Sequence, residues 1–190
     1  GLGDVYKRQM VTSESALLII DMQQGLFNGP EAPFAANSIL SNISLLITKA
    51  RVSAVPLFFA RHIGPDDSPF NEQSPLTRLI PELQVNPQSD VVFTKRYPSC
   101  FRDTGLQLQL KQKGIKQLVI AGMKTEFCVD TTCRAAPELG FNVVLISDAH
   151  TTVDNPHLSA EKIIAHHNQT LAGPFLTLAT ATDWHYGSAG

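Results

Sequence analysis

Six short apolar runs recur along this chain with helical patterns between them, and that alternation limits the possible folds more than any other feature. The runs are ALLII (16–20), VPLFFA (55–60), VVFTK (91–95), QLVIA (117–121), NVVLIS (142–147) and PFLTLAT (174–180). Between the first two, Leu40, Ile43, Ile47 and Ala50 recur every three or four residues, the period of one helix face, which predicts a helix from Ile39 to Ala54. Further helices are expected over 103–113, stopped by Gly114, over about 126–139, stopped by Gly140, and over 158–172. A strand that is apolar along its whole length is covered on both faces, as strands of parallel sheets are. Right-handed crossovers then give a doubly wound α/β domain, with a mostly parallel sheet of about six strands and helices on both faces, Rossmann-like in plan. Residues 62–81 are rich in proline and glycine and read as a long loop of the kind that covers a binding site.

A length of 190 residues suits one such domain, placed at 10–190. The stretch GLGDVYKRQ before Met10 lacks the apolar centre of a signal peptide and is expected to be a non-native leader at 1–9. The formal charge of −2 comes without a basic patch, so no nucleic-acid partner is expected, and no apolar run is long enough to cross a bilayer. Cys100, Cys128 and Cys133 are odd in number and show no C-x-x-C spacing, so free thiols in a reducing, cytoplasmic setting are expected.

In doubly wound sheets ligands bind beyond the carboxyl ends of the strands. The residues placed there are Asp21, Arg61 and His62, Lys95, the 122–128 turn, and Asp148 and His150. With Thr125 as N-cap, Cys128 falls near the third helical position, where free N–H groups favour a thiolate and offer donors to an oxyanion. A small buried core residue is the plainer reading of the same thiol. Asp21 is positioned as a general base toward such a thiol or, more plainly, as a structural acceptor. Lys95 either balances the charge of that aspartate and steadies an anionic intermediate or is a solvated strand-end lysine.

The pieces 16-ALLIIDMQQGLF-27, 92-VFTKRYPSCF-101, 118-LVIAGMKTEFCVDTTCRAA-136 and 143-VVLISDAHTT-152 together resemble the isochorismatase-like cysteine hydrolases, in order and in spacing, over about residues 14–180. That superfamily includes nicotinamidases, N-carbamoylsarcosine amidase and other small-amide hydrolases. The resemblance implies the isochorismatase-like hydrolase fold, a triad of Asp21, Lys95 and Cys128, a cis peptide between Met123 and Lys124, and an oxyanion hole made by the backbone N–H groups of Lys124 and Cys128. It further implies a small-molecule substrate, no cofactor, and a homo-oligomer, dimer or higher. The expected reaction is cleavage of a C–N bond in a small amide or carbamoyl compound through a thioester. Vinyl-ether hydrolysis, as in true isochorismatases, and a non-catalytic binding or redox role are the alternatives.

The chain departs from nicotinamidases at 58-FFARHIGPDDSPF-70, which has one histidine and no Asp-x-His, so no metal is expected and His62 is read as an ordinary loop histidine. Gln23, Phe27, Tyr97, Phe101 and Phe127 are the candidate substrate-binding residues. Cys133 is assigned to the core, and Cys100 is read as able to approach the site and pair reversibly with Cys128. Pro137 should kink or tighten the last turn of the helix that carries Cys128.

Overall fold

The computed structural model describes residues 14–187; the leader expected at 1–9 lies outside the described residues. The six apolar runs form strands β1 (Ser15–Ile20), β2 (Leu57–His62), β3 (Val91–Lys95), β4 (Gln117–Met123), β5 (Asn142–Thr151) and β6 (Thr177–Ala179). They make a single sheet in the order β3-β2-β1-β4-β5-β6, parallel at every pairing. Leu17, Leu18, Ile19 and Ile20 of the central strand are 0–1% exposed, and each such side chain contributes about 1.5–3 kcal/mol by leaving water.

Among the described residues, the α-helices around the sheet are α1 (Gln24–Phe27), α2 (Ala36–Val52), α3 (Leu106–Gln112), α4 (Asp130–Glu138) and α5 (Ala160–Leu171). On one face α2 presents Ile39, Ile43, Leu46, Ile47 and Ala50 to Leu17, Ile19, Leu57 and Phe59. On the other, Leu106 and Leu110 of α3, Cys133 and Ala136 of α4 and Leu171 of α5 pack with Leu18, Ile20, Phe58 and Leu145. Cys133 is a core residue, as its spacing suggested. The expected start of α3 at 103 moves to Leu106, because Gly105 turns the chain with a φ of +72°. Pro137 occupies the last turn of α4, which ends one residue later at Glu138. Among the described residues, no helix is long and apolar enough to cross a membrane.

Two departures from the expected strand lengths shape the site. Strand β2 runs through Arg61 and His62, and β5 continues to Thr151. The β4–β5 register shifts on the way: Ile120 lies opposite Leu145, but Gly122 lies opposite His150. Strand order reverses between β1 and β4, and in this architecture that switch point opens a crevice at the carboxyl edge. The two strands approach so closely there that a Cβ on Gly122, whose φ is +127°, would sit 2.2 Å from the Ile20 carbonyl oxygen.

Candidate active site

The crevice between β1 and β4 collects Asp21, Lys95 and Cys128. Asp21 follows β1 directly, Lys95 ends β3, and Cys128 lies in a π-helical turn, Thr125–Val129, between β4 and α4. The Lys95 Nζ is 3.0 Å from Asp21 Oδ2, and it donates to Cys128 Sγ at 3.2 Å, to the Tyr97 carbonyl oxygen at 3.1 Å and to His62 Nδ1 at 3.0 Å. Three N–H bonds thus serve four acceptors. The thiol is the weakest of these and gains most if it becomes a thiolate.

Both charges are out of water: the Lys95 and Asp21 side chains are 0% and 2% exposed. Burial raises the Asp21 carboxyl above its ordinary range against the pull of Lys95. Burial alone would lower the Lys95 amine, but the Asp21 carboxylate beside it and the nearby thiols outweigh that and raise it, so the ammonium is kept. Burial, then the Asp21 charge, push the Cys128 thiol up to about 12, with Lys95 opposing. This corrects the expectation of a thiol acidified by a helix end. Thr125 is not an N-cap, and the turn that holds Cys128 is wound π-fashion, with Val129 N–H donating to the Lys124 carbonyl at 3.3 Å. The resting sulfur is therefore a protonated thiol. Asp21 Oδ1 is buried and accepts no hydrogen bond from the described residues.

His62 belongs to this group, contrary to its reading as a loop histidine. One polar atom from each of Asp21, His62 and Cys128 lies within 4.8 Å of the others. Such a set has the composition of a small metal site, but the Lys95 ammonium touches all three, and an ion held by them would have to displace it. The ammonium has no lone pair, so His62 Nδ1 is the acceptor and the ring proton sits on Nε2. Burial and the Lys95 charge lower the His62 pKa to about 4. A ring already protonated at Nε2 and occupied at Nδ1 has no position for a proton from sulfur.

A cavity of about 320 Å³ opens onto the thiol, with Asp21, His62, Lys124 and Cys128 on its polar side and Leu26, Pro98 and Phe127 on its apolar side. The Met123–Lys124 peptide is cis. A larger hollow, about 590 Å³, lies at the opposite edge of the sheet beside Gln117 and Asn142 and has no ionisable side chain in its lining.

Residues 15–173 match the isochorismatase domain family. The chain belongs to the isochorismatase family. It is 31% identical to a secreted isochorismatase effector of Verticillium dahliae over 90% of each protein, and 30% identical to nicotinamidase 3 of Arabidopsis thaliana over 77% of each. Among solved structures, an isochorismatase from Pseudomonas putida superposes with a TM-score of 0.83 at 29% identity, covering 90% of each chain. The protein is accordingly a hydrolase of this family with the expected α/β fold.

Of the candidate substrate-binding residues in this isochorismatase-family hydrolase, only Phe127 lines the cavity. Gln23 is fully buried with its amide committed: Nε2 donates to the His62 and Thr77 carbonyls, each at 2.8 Å, and Oε1 accepts from His62 N–H at 3.0 Å. It pins the end of β2 and the 62–81 segment. Arg61 reinforces this through Thr77 Oγ1 at 2.8 Å, and Ile80 N–H donates to the Met22 carbonyl at 3.0 Å. Phe27 is a core residue on one face, and Phe101 is partly buried against the core on the other, stacked on Phe141 at 5.9 Å. Tyr97 contributes its carbonyl to Lys95 and carries the Arg102 guanidinium 3.5 Å over its ring. Cys100 is buried in the core with its N–H on Thr132 Oγ1 at 3.1 Å, and all three cysteines are free, so the Cys100–Cys128 pair is not formed. Leu26, Pro98 and His62 are the site residues that sequence reading missed; only His62, at a strand end, carried a signal.

Proposed function

We propose that this isochorismatase-family hydrolase cleaves the C–N bond of a small amide or carbamoyl compound through a thioester on Cys128. The observation that carries the reading is the placement of the Lys95 ammonium between the Asp21 carboxylate and the Cys128 sulfur, at 3.0 and 3.2 Å, beside a cavity. A cavity of about 320 Å³ is at the small end of ligand sites, which suits a substrate of few heavy atoms.

The thiol and carboxyl pKa values are both raised, so the sulfur keeps its proton at rest and the Asp21 carboxylate is a stronger base toward it than an exposed one. As the substrate carbonyl approaches, the proton passes from Cys128 Sγ to Asp21, and sulfur attacks the carbonyl carbon. The negative charge leaves Asp21 and passes through sulfur to the carbonyl oxygen; Lys95 exchanges the carboxylate for the forming thiolate as its partner, while the N–H groups of Lys124 and Cys128 receive the oxyanion. The C–N bond then breaks, Asp21 returns its proton to the departing nitrogen, and ammonia or an amine leaves. Water attacks the thioester with Asp21 again as base, which frees the acid and restores the thiol. Apo geometry with sulfur and carboxylate within 4.8 Å is ordinary for such a pair and tightens when substrate binds.

One observation favours a second reading. A buried aspartate with a raised pKa and an unoccupied oxygen is also suited to protonating a vinyl ether. An ammonia-release screen over small amides, ureas and carbamoyl amino acids, with Cys128→Ala as control, decides between them. The amide reading expects at least one compound turned over by the native enzyme alone. No ammonia from any compound, together with ether cleavage that survives Cys128→Ala, would reverse the choice.

A further inference from the structure

Behind the nucleophile turn lies a line of buried polar groups that the reaction itself does not use. Thr125, the first residue of the turn, places its Oγ1 2.8 Å from His150 Nδ1, and His150 Nε2 is 2.8 Å from Asn168 Oδ1. The roles in this line are determined. Asn168 Nδ2 donates to the Ser147 carbonyl at 3.1 Å, so its Oδ1 faces His150 and accepts. His150 Nε2 therefore carries the ring proton, Nδ1 is bare, and the Thr125 hydroxyl donates to it. Thr125 and His150 are 0–1% exposed. The β4–β5 register shift brings His150 opposite Gly122, directly beneath the turn, and α5 supplies Asn168 from the side.

Thr125 stands between the two peptide groups assigned to the oxyanion, one residue after Lys124 and three before Cys128. The turn's own backbone bonds run from the N–H groups of Phe127 and Val129 to the Lys124 carbonyl, at 3.1 and 3.3 Å, and from Asp130 N–H to the Thr125 carbonyl. Its first side chain adds a tie from outside the turn, to a ring that is held in turn by a helix and a strand.

We propose that Thr125, His150 and Asn168 are positioning residues for the oxyanion hole, which they aim through a hydrogen bond from the nucleophile turn to a fixed neutral imidazole. The proposal rests on the cysteine-hydrolase reading and deepens it. Their effect is on the transition state of carbonyl attack, in which an oxyanion forms, and not on the sulfur's access or reactivity toward an alkyl halide, where none does.

The test is Thr125→Val, which keeps the shape and removes the hydroxyl, compared with Thr125→Ser, which restores it. Each is measured on an amide found in the screen and for alkylation of Cys128 by iodoacetamide. Loss of one well-aimed oxyanion donor lowers kcat about 100-fold. The expected result is a fall of at least about tenfold in kcat for the valine variant, with KM and alkylation rate within about twofold of the native enzyme, and recovery in the serine variant. Native-like kcat in Thr125→Val, or an equal fall in turnover and alkylation, overturns the proposal. Cys128→Ala measured in parallel separates the two levels: if it still turns over the amide, the cysteine mechanism itself is wrong and the positioning role falls with it.

Discussion

Replacing Lys95 by methionine keeps the length and volume of the side chain and removes its charge. Lys95 and Asp21 are 0% and 2% exposed, so the aspartate would then stand buried with neither the ammonium nor water to answer its charge. Breaking a buried pair from one side costs about 3–5 kcal/mol. At about 2–4 °C per kcal/mol for a domain of this size, Tm should fall by about 6–20 °C. Removing the second charge should repair much of this: Asp21→Asn/Lys95→Met is expected to be at least about 2 kcal/mol more stable than Lys95→Met alone, because two neutral groups need no compensating charge. The sign with pH is defined. In Lys95→Met the folded-state pKa of Asp21 rises further above the unfolded value, so the folded state binds the proton more tightly and its stability falls as pH rises between those values. Acidification therefore shrinks the deficit. Urea unfolding of the native protein, both single variants and the double variant, followed by far-UV circular dichroism at pH 7 and 5, gives the full cycle. A Lys95→Met protein within about 1 kcal/mol of the native one, or a double variant no more stable than the single, would refute the buried-pair reasoning.

Two further perturbations probe the scaffold. Gly122→Ala places a Cβ 2.2 Å from the Ile20 oxygen at a φ of +127°, and overpacking together with the unfavourable backbone should cost about 2–6 kcal/mol, read as a Tm drop with loss of turnover. His150 is lowered by burial from 6.5 to about 4, so the unfolded chain binds its proton first and stability falls as pH drops through that interval, by about 3 kcal/mol when complete. His150→Gln should flatten the pH dependence of the urea midpoint between 7 and 4.5, relative to the native protein; an unchanged slope would contradict the assignment.

The fold was legible because strands buried on both faces leave nothing polar inside them, so ALLII (16–20) and LVIA (118–121) announce a parallel sheet even in isolation. The meeting of Asp21, Lys95 and Cys128 was legible for a related reason: in such a sheet, polar residues directly after apolar strands must emerge at one edge. Other features depend on three-dimensional surroundings. The direction of the Cys128 shift was misjudged because a helix end is visible in a sequence while burial beside a carboxylate is not. Gln23 looked like a ligand because it sits two residues from Asp21, yet its amide is consumed by backbone groups 39 and 54 residues away. Phe27 and Phe101 carried only their hydrophobicity, which suits a core as well as a pocket. His62 was missed because its partner, Lys95, is on the neighbouring strand and the register that pairs them is set by packing.

The most direct measurement is the intact mass of the enzyme quenched in acid during turnover of an amide found by the ammonia screen, followed by peptide mapping. Covalent catalysis at sulfur predicts a transient gain equal to the acyl fragment, located on the peptide that contains Cys128, and no such species with Cys128→Ala. Undiminished turnover by Cys128→Ala, with no acylated peptide at any quench time in the native enzyme, would contradict it.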